Sequence, residues 1–289
     1  MKNAIIFGAA GQDGFYLTKL LEEQNFNVIG VSRSEGFVHC DITNYEAVSK
    51  LVKETQPLFI FHLAANSTTH HSALFENHQT ITTGTLNILE AVKNESLTTK
   101  VFISGSGLQF LNNDLPIKET DSFEARDAYS ISRIQSVYAA RYFRSIGVKA
   151  YVGYFFNHDS PRRSERHMAM KIAAFAKRIG EGNNEKLEIG DVSAVKEYTF
   201  AGDVVDGIWT LVNQDTIFEA NIGSGKGYSI EEWLETCFSL IGKDWKQYIV
   251  QKEGFVSHYK QLVSDSTLMF SLGWKPKVSL KELAESMMK

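Results

Sequence analysis

Phe7-Gly8-Ala9-Ala10-Gly11-Gln12-Asp13-Gly14 decides how this chain is read. The stretch follows the apolar run 3–7, which reads as a strand, and it opens the helical apolar period at 13–24. Strand, glycine-rich turn and helix in that order form the context of a dinucleotide fingerprint. Glycines let the backbone approach a pyrophosphate, and the N–H groups at a helix start face its charge. Gly8, Gly11, Gln12, Asp13 and Gly14 are therefore cofactor-binding candidates. A glycine turn without a ligand is the plainer alternative, and this flanking context argues against it.

Working outward, β-rich apolar runs at 3–7, 27–31, 58–62, 100–104 and 149–155 alternate with helical periods at 13–24, 44–55, 78–94 and 126–145. Crossovers of this length build right-handed βαβ units. The expected fold is α/β: a Rossmann-type doubly wound parallel sheet with a smaller, interleaved C-terminal lobe. After Phe156 the alternation breaks into a basic turn, a helix near 165–181, a short strand at 187–189 and a helix from Asp203. The run 218–222 is expected back in the main sheet, and Ser229 caps a helix at 230–241. Residues 1–155 with about 195–225 are read as the dinucleotide domain, and 156–194 with 226–289 as the substrate lobe.

A chain of 289 residues, 43% hydrophobic and 22% charged, suits one large α/β domain with a lobe. A net charge of −4 and a pI near 6.1 give no chain-wide attraction to nucleic acid or an anionic membrane. Cys40 and Cys237 have neither disulfide nor metal spacing, and no apolar run reaches membrane-spanning length. His70-His71 would point apart, no H-E-x-x-H occurs, and no metal is assigned. A cytoplasmic location is expected.

The second strand ends in Gly30-Val-Ser-Arg33 with no acid for ribose hydroxyls. Arg33 is placed either to meet a 2′-phosphate or to pair with Glu35, so NADP stays open beside NAD. Asp41, Ile42, Leu63, Ala64 and Ala65 occupy the turns after the next strands, where the adenine and the diphosphate side of a cofactor would lie.

Gly11-Gln-Asp-Gly14, Phe156-Asn-His-Asp-Ser-Pro-Arg-Arg163 and Gly273-Trp-Lys-Pro276, together with the region around Tyr129, give a resemblance over nearly the whole chain. The chain resembles extended short-chain dehydrogenases/reductases acting on nucleotide sugars, and among them GDP-mannose 4,6-dehydratase. The resemblance implies catalysis by Tyr129 and Ser106, with Ser104 as a lesser substitute for Ser106. The tyrosine takes the carbon-4 hydroxyl proton while hydride passes to the nicotinamide. Two positions depart from the pattern. The usual lysine, which holds the ribose and lowers the tyrosine pKa, is Arg133, a guanidinium with a different reach. The usual glutamate, which removes the carbon-5 proton, is Leu108, and neutral Gln109 offers no replacement.

The resemblance also implies a diphosphate site from Asn157, Arg162, Arg163, Lys171 and Lys196, with a basic surface turn as the plainer reading. His158 and His167 either line the sugar cleft or are ordinary satisfied histidines. The expected activity is NAD(P)-dependent oxidation at carbon 4 of a GDP-linked manno-configured hexose or heptose, without dehydration. A 4-keto-sugar reductase, a 4-epimerase, a dehydratase with a relocated base and a non-catalytic nucleotide-sugar-binding protein stay open. A homodimer is expected, because helices 78–94 and 126–145 pair across a two-fold axis in such enzymes.

Overall fold

Ala4, Ile5, Ile6 and Phe7 are all buried, so the strand they form must be covered on both faces. A computed structural model of the protein, describing residues 2–255, 257 and 259–289, shows how. The first half runs β1 (Lys2–Phe7), α1 (Gln12–Glu23), β2 (Phe26–Val31), α2 (Tyr45–Thr55), β3 (Phe59–His62), α3 (Leu74–Asn77), α4 (Gly84–Glu95), β4 (Lys100–Ser106), α5 (Ala128–Ser145) and β5 (Lys149–Phe155). The second half adds β6 (His158–Asp159), α6 (Met168–Gly180), β7 (Leu187–Ile189), β8 (Val195–Glu197), β9 (Thr199–Phe200), α7 (Ala201–Val212) and β10 (Glu219–Ile222). It closes with β11 (Gly227–Ser229), α8 (Ile230–Ser239), β12 (Ile249–Gln251), β13 (Gln261–Leu262), α9 (Thr267–Ser271) and α10 (Leu280–Met287).

Six strands form the expected parallel sheet in the order β10-β5-β4-β3-β1-β2. Alternation along β1 sends Ile5 and Phe7 into a layer with Val48 and Val52 of α2, Ile88 of α4 and Val137 of α5. Ala4 and Ile6 point the other way, onto Leu17 and Leu21 of α1 and Val204 and Ile208 of α7. The strand order reverses between β1 and β3. Their carboxyl ends therefore open the crevice in which such sheets receive ligands.

The smaller core packs α6, α8 and α10 around Trp233, whose indole N–H donates to the Ala169 carbonyl at 3.0 Å. Residues 195–197, grouped with the dinucleotide domain on sequence, instead form β8 of a separate sheet ordered β11-β8-β13. Buried Glu197 is the physical reason. Its carboxylate accepts from the Ser264 amide at 2.7 Å and hydroxyl at 2.6 Å, and from the Ser224 amide, which anchors β8 to the C-terminal segment.

The helix expected at 78–94 is not uniform, because residues 78–83 are π-helical. That wider turn brings the Thr82 hydroxyl to the Ser132 carbonyl at 3.2 Å and the Ile81 carbonyl to within 3.4 Å of His62 Nε2. Among the described residues, no helix is long and apolar enough to cross a membrane, and no cluster of three or more His, Cys, Asp or Glu is placed to hold a metal.

Candidate active site

Gly8 leaves β1 at φ +93°, and a Cβ there would lie 2.7 Å from the Ala64 amide nitrogen. Only glycine lets the turns after β1 and β3 approach so closely. Gly11 then caps α1 without any side-chain hydrogen bond, so among the described residues the first amides of the helix have no side-chain acceptor. Gly8, Gly11, Gln12, Asp13 and Gly14 form one wall of a cleft of about 290 Å³, and Leu63 and Ala65 continue it. Free amides at a glycine-lined helix start fit a dinucleotide pyrophosphate.

The opposite wall comes from β4 and α5. Asp127 caps α5 by accepting from the Tyr129 amide at 2.9 Å and the Ser130 amide at 2.8 Å, which fixes Tyr129 in the first turn. One turn on, Arg133 shares the face of Tyr129, its guanidinium carbon 4.9 Å from the ring centroid. Arg133 is 3% exposed. Its Nη1 donates to the Ser104 hydroxyl at 2.8 Å and to the Ser104 carbonyl, while its buried Nε has no partner among the described residues. The Ser104 hydroxyl also donates to the His62 carbonyl at 3.0 Å, so Ser104 is occupied as a support for Arg133. Burial first, and then the charge of Arg133, push His62 down to about 4, leaving a neutral ring beneath the guanidinium at neutral pH.

Ser106, the last residue of β4, faces the same cleft. Its hydroxyl accepts from the Leu108 amide at 3.2 Å, and its own amide donates to Gln109 Oε1 at 2.9 Å. This reciprocal cap on the turn 107–109 turns the buried Gln109 amide inward and leaves Leu108 lining the cleft beside Tyr129 and Arg133.

On the far side, Asn157 and Arg163 line the cleft, and Asn157 Oδ1 is buried without a partner among the described residues. Arg163 donates to the His158 carbonyl at 3.1 Å and lies 3.5 Å from Asp159. The other expected substrate residues stand outside this lining: the Arg162 guanidinium sits 3.8 Å over the Phe15 ring and Lys196 5.3 Å over Tyr198, and Lys171 follows on α6. Arg33, Asp41, Ile42 and Ala64 do not line it either. Arg33 is exposed just beyond β2, Asp41 accepts from the Thr43 amide at 2.9 Å, and Ile42 backs Gly84.

Several lining residues escaped the sequence reading. Tyr259 and Leu262 arrive from the C-terminal segment, outside every quoted motif, and no local signal marks them. His158 and His167, named from the sequence as cleft candidates, both line it. His158 bonds Asp13 at 3.0 Å, and Ser160 bonds Gln12 at 2.8 Å, so the glycine-rich turn and the segment 156–163 meet each other.

A family model described as GDP-mannose 4,6 dehydratase matches residues 5–287. The chain belongs to the GDP-mannose 4,6-dehydratase family. Among its relatives, GDP-mannose 4,6 dehydratase 2 of Arabidopsis thaliana is 29% identical over 99% of this chain and 86% of its own length. GDP-mannose 4,6-dehydratase of Yersinia enterocolitica is 31% identical over 81% of this chain and 70% of its own. The fold is also that of RMD from Pseudomonas aeruginosa complexed with NADPH, at TM-score 0.88 and 20% identity, covering 100% of this chain and 96% of that one. UDP-glucose 4-epimerase of Thermus thermophilus complexed with NAD matches at TM-score 0.82 and 21% identity, covering 99% and 97%. The family is one of nucleotide-sugar dehydratases, as the sequence resemblance implied.

Proposed function

We propose that this family member is an NAD(P)-dependent oxidoreductase acting at carbon 4 of a GDP-linked manno-configured hexose or heptose, in the oxidative direction, and that it stops short of dehydration. Family membership supports the nucleotide-sugar substrate, and the NAD- and NADPH-bound fold neighbours support the cofactor. One observation carries the finer claim. Asp13 is the single carboxylate among the described residues lining the cleft, and it is bound to His158; the residue between Ser106 and Gln109 is leucine.

In this reading Tyr129 accepts the carbon-4 hydroxyl proton, and Ser106 orients that hydroxyl. Arg133 holds a fixed positive charge against the Tyr129 face, and Asn157 and Arg163 take the sugar diphosphate. The nicotinamide, when bound, supplies the hydride acceptor. Leu108 offers no atom that accepts a proton from carbon 5. Incubating purified protein with GDP-sugars and either dinucleotide, then identifying products by mass spectrometry and NMR, tests this. A 4-keto sugar retaining its 6-hydroxyl supports the reading, and a 6-deoxy-4-keto sugar rejects it.

A second reading keeps the dehydration named in the family. It rests on His167, which lines the cleft and is held neutral because burial and then the charge of Arg163 lower its pKa. A neutral imidazole is a competent base. A non-catalytic binding role is opposed by Tyr129, Ser106 and Arg133 meeting in one cleft. The proposal includes a homodimer through α5, where Ile131, Tyr138, Tyr142 and, just past the helix, Ile146 are exposed. Light scattering at twice the 32.5 kDa chain mass supports it, and a stable monomer opposes it.

A further inference from the structure

The helix start that faces a pyrophosphate carries an acid. Asp13 lies in the first turn of α1, where amides favour an anion and a free carboxylate would repel it. The carboxylate is not free. Its Oδ1 lies 3.0 Å from His158 Nε2 and accepts from Gln12 Nε2 at 3.1 Å. The other ring nitrogen of His158 lies 2.7 Å from the Phe156 carbonyl. A carbonyl and a carboxylate both only accept, so both ring nitrogens donate and His158 is an imidazolium. A second bond, from the Ser160 hydroxyl to Gln12 Oε1 at 2.8 Å, joins the same two segments.

The charges around the pair come from several elements. Asp13 faces His158 from α1, and Arg163 faces it from the substrate-side loop, itself paired with Asp159 at 3.5 Å. His167 and Tyr259 line the same cleft, and Lys196 of β8 stands beside Asp159. Burial favours the neutral ring, yet the charge and hydrogen bond of Asp13 outweigh it and hold His158 above the usual histidine value. Burial likewise opposes the Asp13 anion, but the charge and hydrogen bond of His158 outweigh that and bring Asp13 down to about 2. A deprotonated His158 would turn a bare nitrogen toward the Asp13 oxygen, setting acceptor against acceptor.

We propose that His158 is a positioning residue for dinucleotide binding: as an imidazolium it neutralises Asp13 and fastens the substrate-side loop to the start of α1, so dinucleotide affinity falls when the ring loses its proton or is replaced. This rests on the reading that the cleft takes NAD(P). A carboxylate left uncompensated about 10 Å or less from the pyrophosphate weakens binding on the order of tenfold.

NADH and NADPH binding, followed by nucleotide fluorescence at about pH 6 and about pH 9, tests the idea on wild type, H158Q, D13N and the double variant D13N/H158Q. Wild type should bind more weakly at the higher pH. H158Q should lose on the order of tenfold at the lower pH, and the double variant should recover most of that loss. D13N alone should bind with little pH dependence. The proposal is overturned if the double variant binds no better than H158Q although both melt cooperatively. If H158Q does not fold, D13N decides, and an undiminished alkaline loss of affinity overturns the idea. Wild type that binds neither dinucleotide overturns the reading of the cleft and this inference with it.

Discussion

Arg133→Met should leave the protein nearly as stable as wild type while abolishing turnover. Both hydrogen bonds of the buried Arg133 side chain go to neutral Ser104, one to its hydroxyl at 2.8 Å and one to its carbonyl. Two charge-assisted bonds contribute roughly 1.5–3 kcal/mol each. The contact with the Tyr129 ring, at 4.9 Å, adds about 1 kcal/mol. Against these stands the cost of burying a cation without an anionic partner, several kcal/mol in effect. Nε, buried without an acceptor among the described residues, adds to that cost. The opposed contributions leave a net stability change of about 1–2 kcal/mol for an unbranched apolar replacement two atoms shorter along the side chain. Urea denaturation gives the stability and single-turnover nucleotide absorbance gives the chemistry. A variant that loses more than about 4 kcal/mol, yet turns over normally in its folded fraction, would show that Arg133 is a structural residue and refute the argument.

Tyr129→Phe removes one oxygen and little volume, so dinucleotide binding should persist while hydride transfer falls by roughly two to four orders of magnitude in stopped-flow absorbance. Arg163→Ala should weaken GDP binding in calorimetry by about 1.5 kcal/mol or more, with a smaller effect on NADH. Equal GDP affinities would remove Arg163 from the substrate site. The Asp13–His158 pair predicts a two-sided stability profile. The raised His158 pKa contributes stability that is full below the ordinary histidine range and is lost as pH rises through its folded value. The lowered Asp13 pKa contributes stability present above the ordinary carboxylate range and lost as pH falls toward about 2. Melting temperatures of D13N should therefore change less than wild type at both ends, and matching profiles would count against the pair.

The fold was legible because its strongest constraint is local. Four consecutive apolar residues before Gly8 need cover on both sheet faces, and the glycines after them need a close backbone approach that Gly8 and Ala64 make. Tyr129 and Arg133 were legible through the family resemblance, and their spacing of four places both on one face of α5. Leu108 could be named from its position in the family pattern, but the inward turn of Gln109 depends on its reciprocal cap with Ser106. Three features were hidden because tertiary packing creates them. The π-helical stretch 78–83 answers to contacts with α5 and His62, β8 is set by Glu197 and serines far along the chain, and Asp13 meets His158 across 145 positions. Each lone residue in these pairs also has an ordinary surface or core explanation, so their partners had to be seen.

The claim most exposed is that this cleft oxidises carbon 4 without taking the proton from carbon 5. The direct measurement uses a GDP-sugar deuterated at carbon 5, turned over by wild-type protein, with label retention followed by NMR beside an enzyme-free control of the 4-keto product. With Leu108 in the cleft and Asp13 bound to His158, the label should be retained to the level of the control. Label loss faster than the control, rising with enzyme concentration, would show that another group such as His167 serves as the base, and would contradict the account.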